Sequence, residues 1–170
     1  LGIEPARFDR LTVPTINGFF DKGLFSNTFD VIIMQHVLEH IKYPVQTARD
    51  VTGLLNESGI LYIEVPSTGK NLENRIEDFS LEHVNYFTPS TLERVFSHCT
   101  PVAQSHDHFL RTIWSAGESP AKATGSSSGQ EIQEIIEGVN TLFEQKEKML
   151  DFIVQQSREG NKIVFYGVSY

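Results

Sequence analysis

The sequence predicts an α/β protein whose sheet contains parallel strands. Two mainly apolar segments, residues 30–35 and 59–65, have the length and composition of strands buried in such a sheet. Between them, residues 44–55 repeat their apolar side chains at helical spacing. After Gln35 the spacing of apolar residues also becomes helical, so we expect the first of these strands to run directly into a helix. Strands that alternate with helices in this order are typical of α/β proteins.

Two further strands are predicted near the beginning of the chain. Residues 1–5, with the sequence LGIEP, are typical of the last turn of a strand that ends in a carboxylate. Residues 13–16 predict a short edge strand, since proline is tolerated at the edge of a sheet. The connection between Pro5 and Val13 is shorter than the ~10 residues that a crossover between parallel strands needs. We therefore expect that its helix is trimmed or that residues are missing there.

A helix-capping signal and two strand-like segments predict the helix and strands in the middle of the chain. Thr88 can cap a helix and Pro89 suits its first position. We expect this helix to extend to about His98. Strand-like segments follow at residues 102–104 and 110–114.

The last part of the chain has a different organisation. Residues 124–130 are rich in glycine and serine, which predicts a flexible linker after an α/β domain of residues 1–123. Residues 131–170 begin with an amphipathic helix of roughly 25–30 residues. Its apolar face leaves three alternatives open, namely packing on its own domain, formation of a homodimer, and interdomain packing. Residues 162–168 predict a strand that enters a glycine turn, the start of a second α/β unit.

Composition and charge exclude several classes of function. The 170 residues carry a formal net charge of −8 and show no basic patch, so we expect no nucleic-acid partner. No segment reaches the ~18 consecutive apolar residues of a membrane span, and no secretory leader precedes Leu1, so we expect no membrane partner. A single cysteine, Cys99, excludes an internal disulfide and fits a reducing compartment, which predicts a cytoplasmic protein.

Two segments carry a family resemblance. The sequences FDVI and HVLEHI within residues 29–41, followed by GILYIEVP at residues 59–66, resemble the middle of a class I S-adenosylmethionine-dependent methyltransferase. The resemblance implies a Rossmann-like sheet, S-adenosylmethionine as the cofactor and a small-molecule substrate. Members of the family begin with a strand and a Gly-rich turn. No such turn lies upstream of Glu4, so we expect a domain that is incomplete at its N-terminus and lacks the first strand.

Five residues are candidates for binding the cofactor. Glu4, followed by Pro5, is a carboxylate at a strand end, which accepts two hydrogen bonds and therefore suits a ribose diol. The resemblance implies that Phe19, in the turn after the edge strand, lines the adenine. It also implies that Gln35 and His36 lie near the methionine portion of the cofactor. The alternatives are an exposed strand-end carboxylate and a phenylalanine of the core.

His36 and His40 are four residues apart, so they could share one helix face, as a pair of metal ligands does. Two histidines are too few for a metal site, and no metalloprotease pattern surrounds them. The family resemblance accounts for this segment better. We therefore expect neither zinc nor another metal.

The segment EHVNYFTP, residues 82–89, contains the candidate catalytic residues. We expect a loop over the ligand-binding edge of the sheet. The segment resembles sugar C-methyltransferases, which implies that the adjacent Glu82 and His83 take a proton from the substrate. A neutral histidine suits that role near neutral pH. Tyr86 is placed to hydrogen-bond the substrate oxygen, and the alternative is a structural loop with a capping histidine.

These observations favour methyl transfer from S-adenosylmethionine to a small molecule. Carbon methylation of a nucleotide-linked sugar is the preferred reaction, and oxygen methylation of a phenol or quinol is the alternative. A non-catalytic binding or interaction protein on the same fold is an alternative of another class. A nicotinamide enzyme is a third reading, and the HVLEH segment argues against it because that class has no special need for it.

Overall fold

The elements of the fold are those of a computed structural model, which describes residues 1–5, 12–68, 82–117 and 129–163. Six strands occur in these ranges: β1 (Gly2–Glu4), β2 (Thr15–Asn17), β3 (Phe29–Gln35), β4 (Leu55–Pro66), β5 (Thr100–His106) and β6 (Phe109–Ser115). They are accompanied by three α-helices: α1 (Pro44–Thr52), α2 (Pro89–Val95) and α3 (Gly129–Arg158). The predicted α/β class is confirmed.

The strands form two hydrogen-bonded sheets. β1 and β2 pair in parallel, and the other four strands follow the order β3-β4-β6-β5. β3 and β4 are parallel, as predicted, whereas β6 is antiparallel to both β4 and β5. β5 and β6 form a hairpin in which the Asp107 carboxylate accepts a hydrogen bond from the Phe109 amide at 2.9 Å. This hairpin makes the larger sheet mixed.

The connection after β3 differs from the expected strand that runs directly into a helix. His36 has a φ of 51°, in the left-handed region that L-residues rarely adopt, and the strand ends there. A single 3₁₀ turn, Leu38–His40, follows it. α1 begins only at Pro44, because the fixed φ of proline suits the first helical position. The helical spacing of residues 36–41 therefore belongs to a turn that buries Leu38 completely.

α1 is shorter than its sequence pattern predicts, since it ends at Thr52 and not near Leu55. Leu55 instead begins β4 and pairs with Phe29 of β3. Apolar residues at the junction of a helix and a strand fit both patterns, so their spacing does not locate the boundary.

The predicted start of α2 is confirmed, and its end lies earlier than expected. The Thr88 hydroxyl accepts a hydrogen bond from the Thr91 amide at 3.3 Å, and the Thr91 hydroxyl accepts one from the Thr88 amide at 2.8 Å. Pro89 occupies the first helical turn, and the helix ends at Val95. This reciprocal cap satisfies two amides that would otherwise lack partners.

The hydrophobic core lies on one face of the larger sheet. Leu61, Ile63 and Val65 of β4 are completely buried on this face, and α1 and α2 cover it. The aromatic rings of Phe96 and Trp114 stack within it, with centroids 5.2 Å apart. Each such side chain contributes about 1.5–3 kcal/mol by leaving water. Tyr62 and Glu64 alternate with Leu61, Ile63 and Val65 along β4, so their side chains lie on the opposite face.

α3 spans 30 residues and begins inside the predicted linker, because Gly129 and Gln130 are already helical. Residues 124–128, and the end of the predicted terminal strand from residue 164 onward, lie outside the described residues. The first turn of α3 contacts α2, where Glu131 accepts hydrogen bonds from the Ser90 and Thr88 hydroxyls. In the part of the chain that the structure describes, no helix combines the length and apolar character needed to cross a membrane.

Candidate active site

Glu64 is the centre of a polar network at the carboxyl ends of β3 and β4. Glu64 pairs in register with Gln35, and the side-chain amide of Gln35 donates to Glu64 Oε1 at 2.8 Å. Glu64 Oε2 accepts hydrogen bonds from the Tyr62 hydroxyl at 2.9 Å and from Arg111 Nε at 2.7 Å. Arg111 is held in turn by the Asp107 carboxylate at 2.9 Å. A buried carboxylate with this many donors is rigidly oriented.

Burial and hydrogen bonding act in opposite directions on the pKa of Glu64. Burial alone would raise the pKa, because it disfavours the charged form. The hydrogen bonds from Tyr62, Gln35 and Arg111 outweigh burial, and they hold the pKa of Glu64 below its ordinary value. Glu64 is therefore ionised in the folded protein at neutral pH.

The free energy of unfolding should depend on the ionisation of Glu64. A carboxyl group with a depressed pKa in the folded state contributes stability above its unfolded-state pKa, and that contribution is lost as pH falls through the folded-state pKa. We expect the stability difference between the wild type and Glu64→Gln to shrink as the pH is lowered into this acidic range. Urea unfolding at several pH values measures this difference, with Glu57→Gln, an exposed carboxylate, as the control. A difference that stays constant with pH would contradict the assignment.

His36 bridges two buried carboxylates at the same edge. Its Nε2 lies 3.2 Å from Glu64 Oε1, its Nδ1 lies 3.3 Å from Glu39 Oε1, and its amide donates to the Glu64 carbonyl at 3.0 Å. The backbone of His36 is strained by its positive φ. Strain of this kind costs about 1–3 kcal/mol and is frequent where a protein binds ligands.

The loop that contains Glu82, His83 and Tyr86 is fastened to the turn after β3 by backbone hydrogen bonds. The amides of Val84 and Asn85 both donate to the Glu39 carbonyl, at 2.9 and 3.0 Å. The Asn85 side chain donates to the Ile41 carbonyl at 2.6 Å. The loop is therefore anchored to this turn through two backbone amides and the Asn85 side chain.

This anchoring brings His83 next to His40. The two imidazole rings lie with centroids 4.9 Å apart, and the His83 and Tyr86 rings lie 6.2 Å apart. His40 Nδ1 is 3.0 Å from the Glu82 carbonyl oxygen. His83 is half-buried, whereas Glu82 and Tyr86 are exposed. Of the three residues that the sequence proposed for catalysis, His83 and Tyr86 thus have neighbouring rings, and Glu82 is placed through its backbone carbonyl.

A pocket of about 260 Å³ opens beside Tyr86. Thr88, at the start of α2, and Ile132, in the first turn of α3, line it together with Tyr86. Tyr86 therefore borders both the pocket and the histidine pair.

Glu4 and Phe19 lie at the ends of the smaller sheet. The side-chain amide of Asn17 donates to the backbone carbonyls of Glu4 and Pro5, at 3.1 and 3.3 Å. These hydrogen bonds fix the turn after β2 against the end of β1. Phe19 is 81% exposed, while Phe20 packs against the core. These residues stand on a different sheet from Gln35 and His36.

Sequence reasoning placed Glu39 at the ligand-facing edge together with Gln35 and His36, but it missed three other polar residues there: Glu64, Asn85 and Arg111. A signal for Glu64 was available, because it is a carboxylate in an otherwise apolar strand. Arg111 reaches Glu64 only through the pairing of β4 with β6, which no local pattern predicts.

Comparison with known proteins gives one family and several distant structures. The model of a family described as a methyltransferase domain matches residues 4–99. No curated protein matches the sequence. Similar solved structures include TehB from Haemophilus influenzae, with 9% identity over 61% of this chain and 42% of that chain and a TM-score of 0.46. An O-methyltransferase family protein from Burkholderia thailandensis shows 14% identity over 62% of this chain and 36% of that chain, with a TM-score of 0.44.

A third solved structure is magnesium protoporphyrin IX methyltransferase from Synechocystis PCC 6803 with bound SAH. It shows 16% identity over 62% of this chain and 50% of that chain, with a TM-score of 0.36. The chain thus spans half or less of the length of these three proteins.

The match to the family model covers more than half of the chain, and all the predicted site residues, from Glu4 to Tyr86, lie within it. The resemblance that the FDVI and HVLEHI segments indicated is therefore confirmed, and with it S-adenosylmethionine as the cofactor of the family. The chain belongs to the methyltransferase-domain family of class I S-adenosylmethionine-dependent enzymes.

Proposed function

We propose that this chain transfers the methyl group of S-adenosylmethionine to a small molecule, with His83 as the base. The observation that carries the proposal is the anchoring of residues 82–86 on the turn after β3, which holds His83 at the edge where His36 and Glu64 lie. Family members bind their ligands at the carboxyl ends of the strands, and this is where His36 and Glu64 lie.

The cofactor would be held by residues of both sheets. Glu4 would accept hydrogen bonds from the ribose diol, with Pro5 fixing the end of the strand, and Phe19 would offer its exposed ring to the adenine. Gln35 and His36 would lie beside the methionine portion. When bound, S-adenosylmethionine supplies an electrophilic methyl group on a sulfonium. The bond from that carbon to sulfur breaks as the bond to the acceptor forms, and the electron pair stays on sulfur.

The acceptor must lose a proton for this displacement to proceed. His83 would take it, with Glu82 sharing or supporting that role, and Tyr86 would hydrogen-bond an oxygen of the acceptor. The pocket beside Tyr86 supports binding of a small acceptor next to His83. Positioning of the acceptor supplies much of the remaining acceleration, because the displacement is in line.

Carbon methylation of a nucleotide-linked sugar is our preferred reaction, and oxygen methylation of a phenol or quinol is the alternative. A carbon acceptor needs a base to form an enolate-like carbanion, so a histidine on this loop has a clear task. The two reactions differ in a measurable way. In D₂O with S-adenosylhomocysteine present, a nucleoside-diphosphate ketosugar should exchange the hydrogen at the methylated carbon for deuterium. Turnover of a catechol or quinol without any ketosugar exchange would favour oxygen methylation.

The first test of the proposal is a calorimetric titration of the chain with S-adenosylhomocysteine. We expect saturable binding with a Kd in the micromolar range. A folded sample that does not bind would favour a non-catalytic interaction protein on the same fold. Circular dichroism of the same sample establishes that it is folded.

A further inference from the structure

Glu39 is an unusual residue in this edge of the sheet. Its side chain is only 2% exposed, and neither carboxylate oxygen has a hydrogen-bond partner among the described residues. The contact of 3.3 Å from Oε1 to His36 Nδ1 is an ion pair only when His36 is protonated. A buried carboxylate without hydrogen bonds is costly, and such groups are rare in native proteins. Its presence therefore points to a ligand.

Two histidines face this carboxylate. Ligand atoms of Glu39, His40 and His83 all lie within 4.8 Å of one another. The sequence places His40 next to Glu39, while the anchored loop, which follows β4 along the chain, brings His83 next to His40. The sequence analysis set the pair of His36 and His40 aside because two histidines are too few for a metal site, whereas the structure groups three residues around His40.

The hydrogen bond of His40 suits a metal ligand. Its Nδ1 lies 3.0 Å from the Glu82 carbonyl oxygen, which can only accept, so the hydrogen belongs on Nδ1. The lone pair is then on Nε2. Histidines that bind metals usually donate their other ring N–H to a carbonyl or carboxylate, because this fixes the tautomer and orients the ring.

We propose that Glu39, His40 and His83 form a binding site for a divalent first-row transition-metal ion such as Zn²⁺. Two imidazoles and one carboxylate are a donor set that Zn²⁺ accepts, with a further position open to water or substrate. Bonds of about 2.0–2.2 Å require ligand atoms closer together than 4.8 Å. His40 is exposed and His83 is half-buried, so small side-chain rotations are enough to bring their ring nitrogens closer to Glu39.

The proposal has a consequence for the reaction. A metal ion on His83 takes the lone pair that the histidine needs as a base, so the metal-bound form and the base form of His83 exclude each other. This consequence rests on the proposed function, whereas the metal site itself does not.

Titration of the metal-free chain with ZnCl₂, without cofactor or acceptor, tests the site. The protein is treated with a chelator and desalted, and calorimetry then measures affinity and stoichiometry. We expect one Zn²⁺ per chain, and at least about tenfold weaker binding for Glu39→Gln and for His40→Gln. His108→Gln replaces an exposed histidine outside the cluster and should leave the affinity unchanged.

A second measurement does not depend on the stability of the variants. Co²⁺ bound to the wild-type chain should give visible absorption typical of few-coordinate cobalt with nitrogen and oxygen ligands, and Zn²⁺ should displace it. The absence of saturable Zn²⁺ binding by folded wild-type chain would overturn the proposal. Equal affinities for the wild type and His40→Gln would overturn it as well. Because no turnover is measured, failure here is distinct from failure of the methyl-transfer proposal.

Discussion

His83→Ala is expected to lower kcat for methyl transfer at least about 100-fold, the usual scale for loss of a general base. The affinity for S-adenosylhomocysteine should stay nearly unchanged, because the residues proposed to hold the cofactor are elsewhere. The variant should also fold. The loop is anchored by the amides of Val84 and Asn85 and by the Asn85 side chain, so the anchors that hold it to the neighbouring turn remain when the imidazole is removed.

Two measurements on the same protein separate chemistry from binding. Steady-state formation of S-adenosylhomocysteine gives kcat, and calorimetry gives the cofactor affinity. His108→Ala makes the same chemical change at an exposed position outside the site, and its kcat should match the wild type. Unchanged turnover in His83→Ala would show that His83 is a structural residue of the loop, which is the alternative that the sequence leaves open.

The parts of the fold that the sequence predicts well are those set by neighbours along the chain. β3 and β4 are recognisable as apolar blocks, and the start of α2 follows from a capping threonine before a proline. Each of these signals acts over a few residues, since caps and turns satisfy local hydrogen bonds. The ends of α1 and α2 were less well predicted, because apolar residues there continue into the next element.

The candidate site is predicted only in part, because its geometry depends on contacts between distant segments. The family resemblance of residues 82–89 singles out His83. The sequence does not show that the amides of this loop donate hydrogen bonds to the Glu39 carbonyl. It suggests a helix at His36, where the structure has a strained turn instead. That turn places His36 close to the buried carboxylates of Glu39, in the 3₁₀ turn, and of Glu64, in β4. The local sequence pattern therefore predicts which types of residue occur at the site. The partners of these residues depend on how the strands pair, which the local pattern does not predict.

Glu4→Ala is expected to weaken the binding of S-adenosylhomocysteine by about 1–3 kcal/mol, the cost of losing hydrogen bonds to a charged acceptor. This corresponds to roughly a 5- to 150-fold increase in Kd. The substitution should leave the turn after β2 in place, since the Asn17 side chain and the Gly18 amide hydrogen-bond the backbone carbonyl of Glu4, which alanine retains. Loss of affinity would therefore report on the carboxylate itself.

Calorimetric titration of three variants resolves this contribution. Glu4→Gln keeps one carbonyl acceptor and removes the charge, so its affinity should lie between those of the wild type and Glu4→Ala. Glu57→Ala removes an exposed carboxylate from another strand and controls for the change in net charge. If Glu4→Ala binds as tightly as Glu57→Ala, Glu4 is an exposed strand-end carboxylate without a role in the cofactor site. The ribose would then need another acceptor, and the smaller sheet would lose its place in the proposed mechanism.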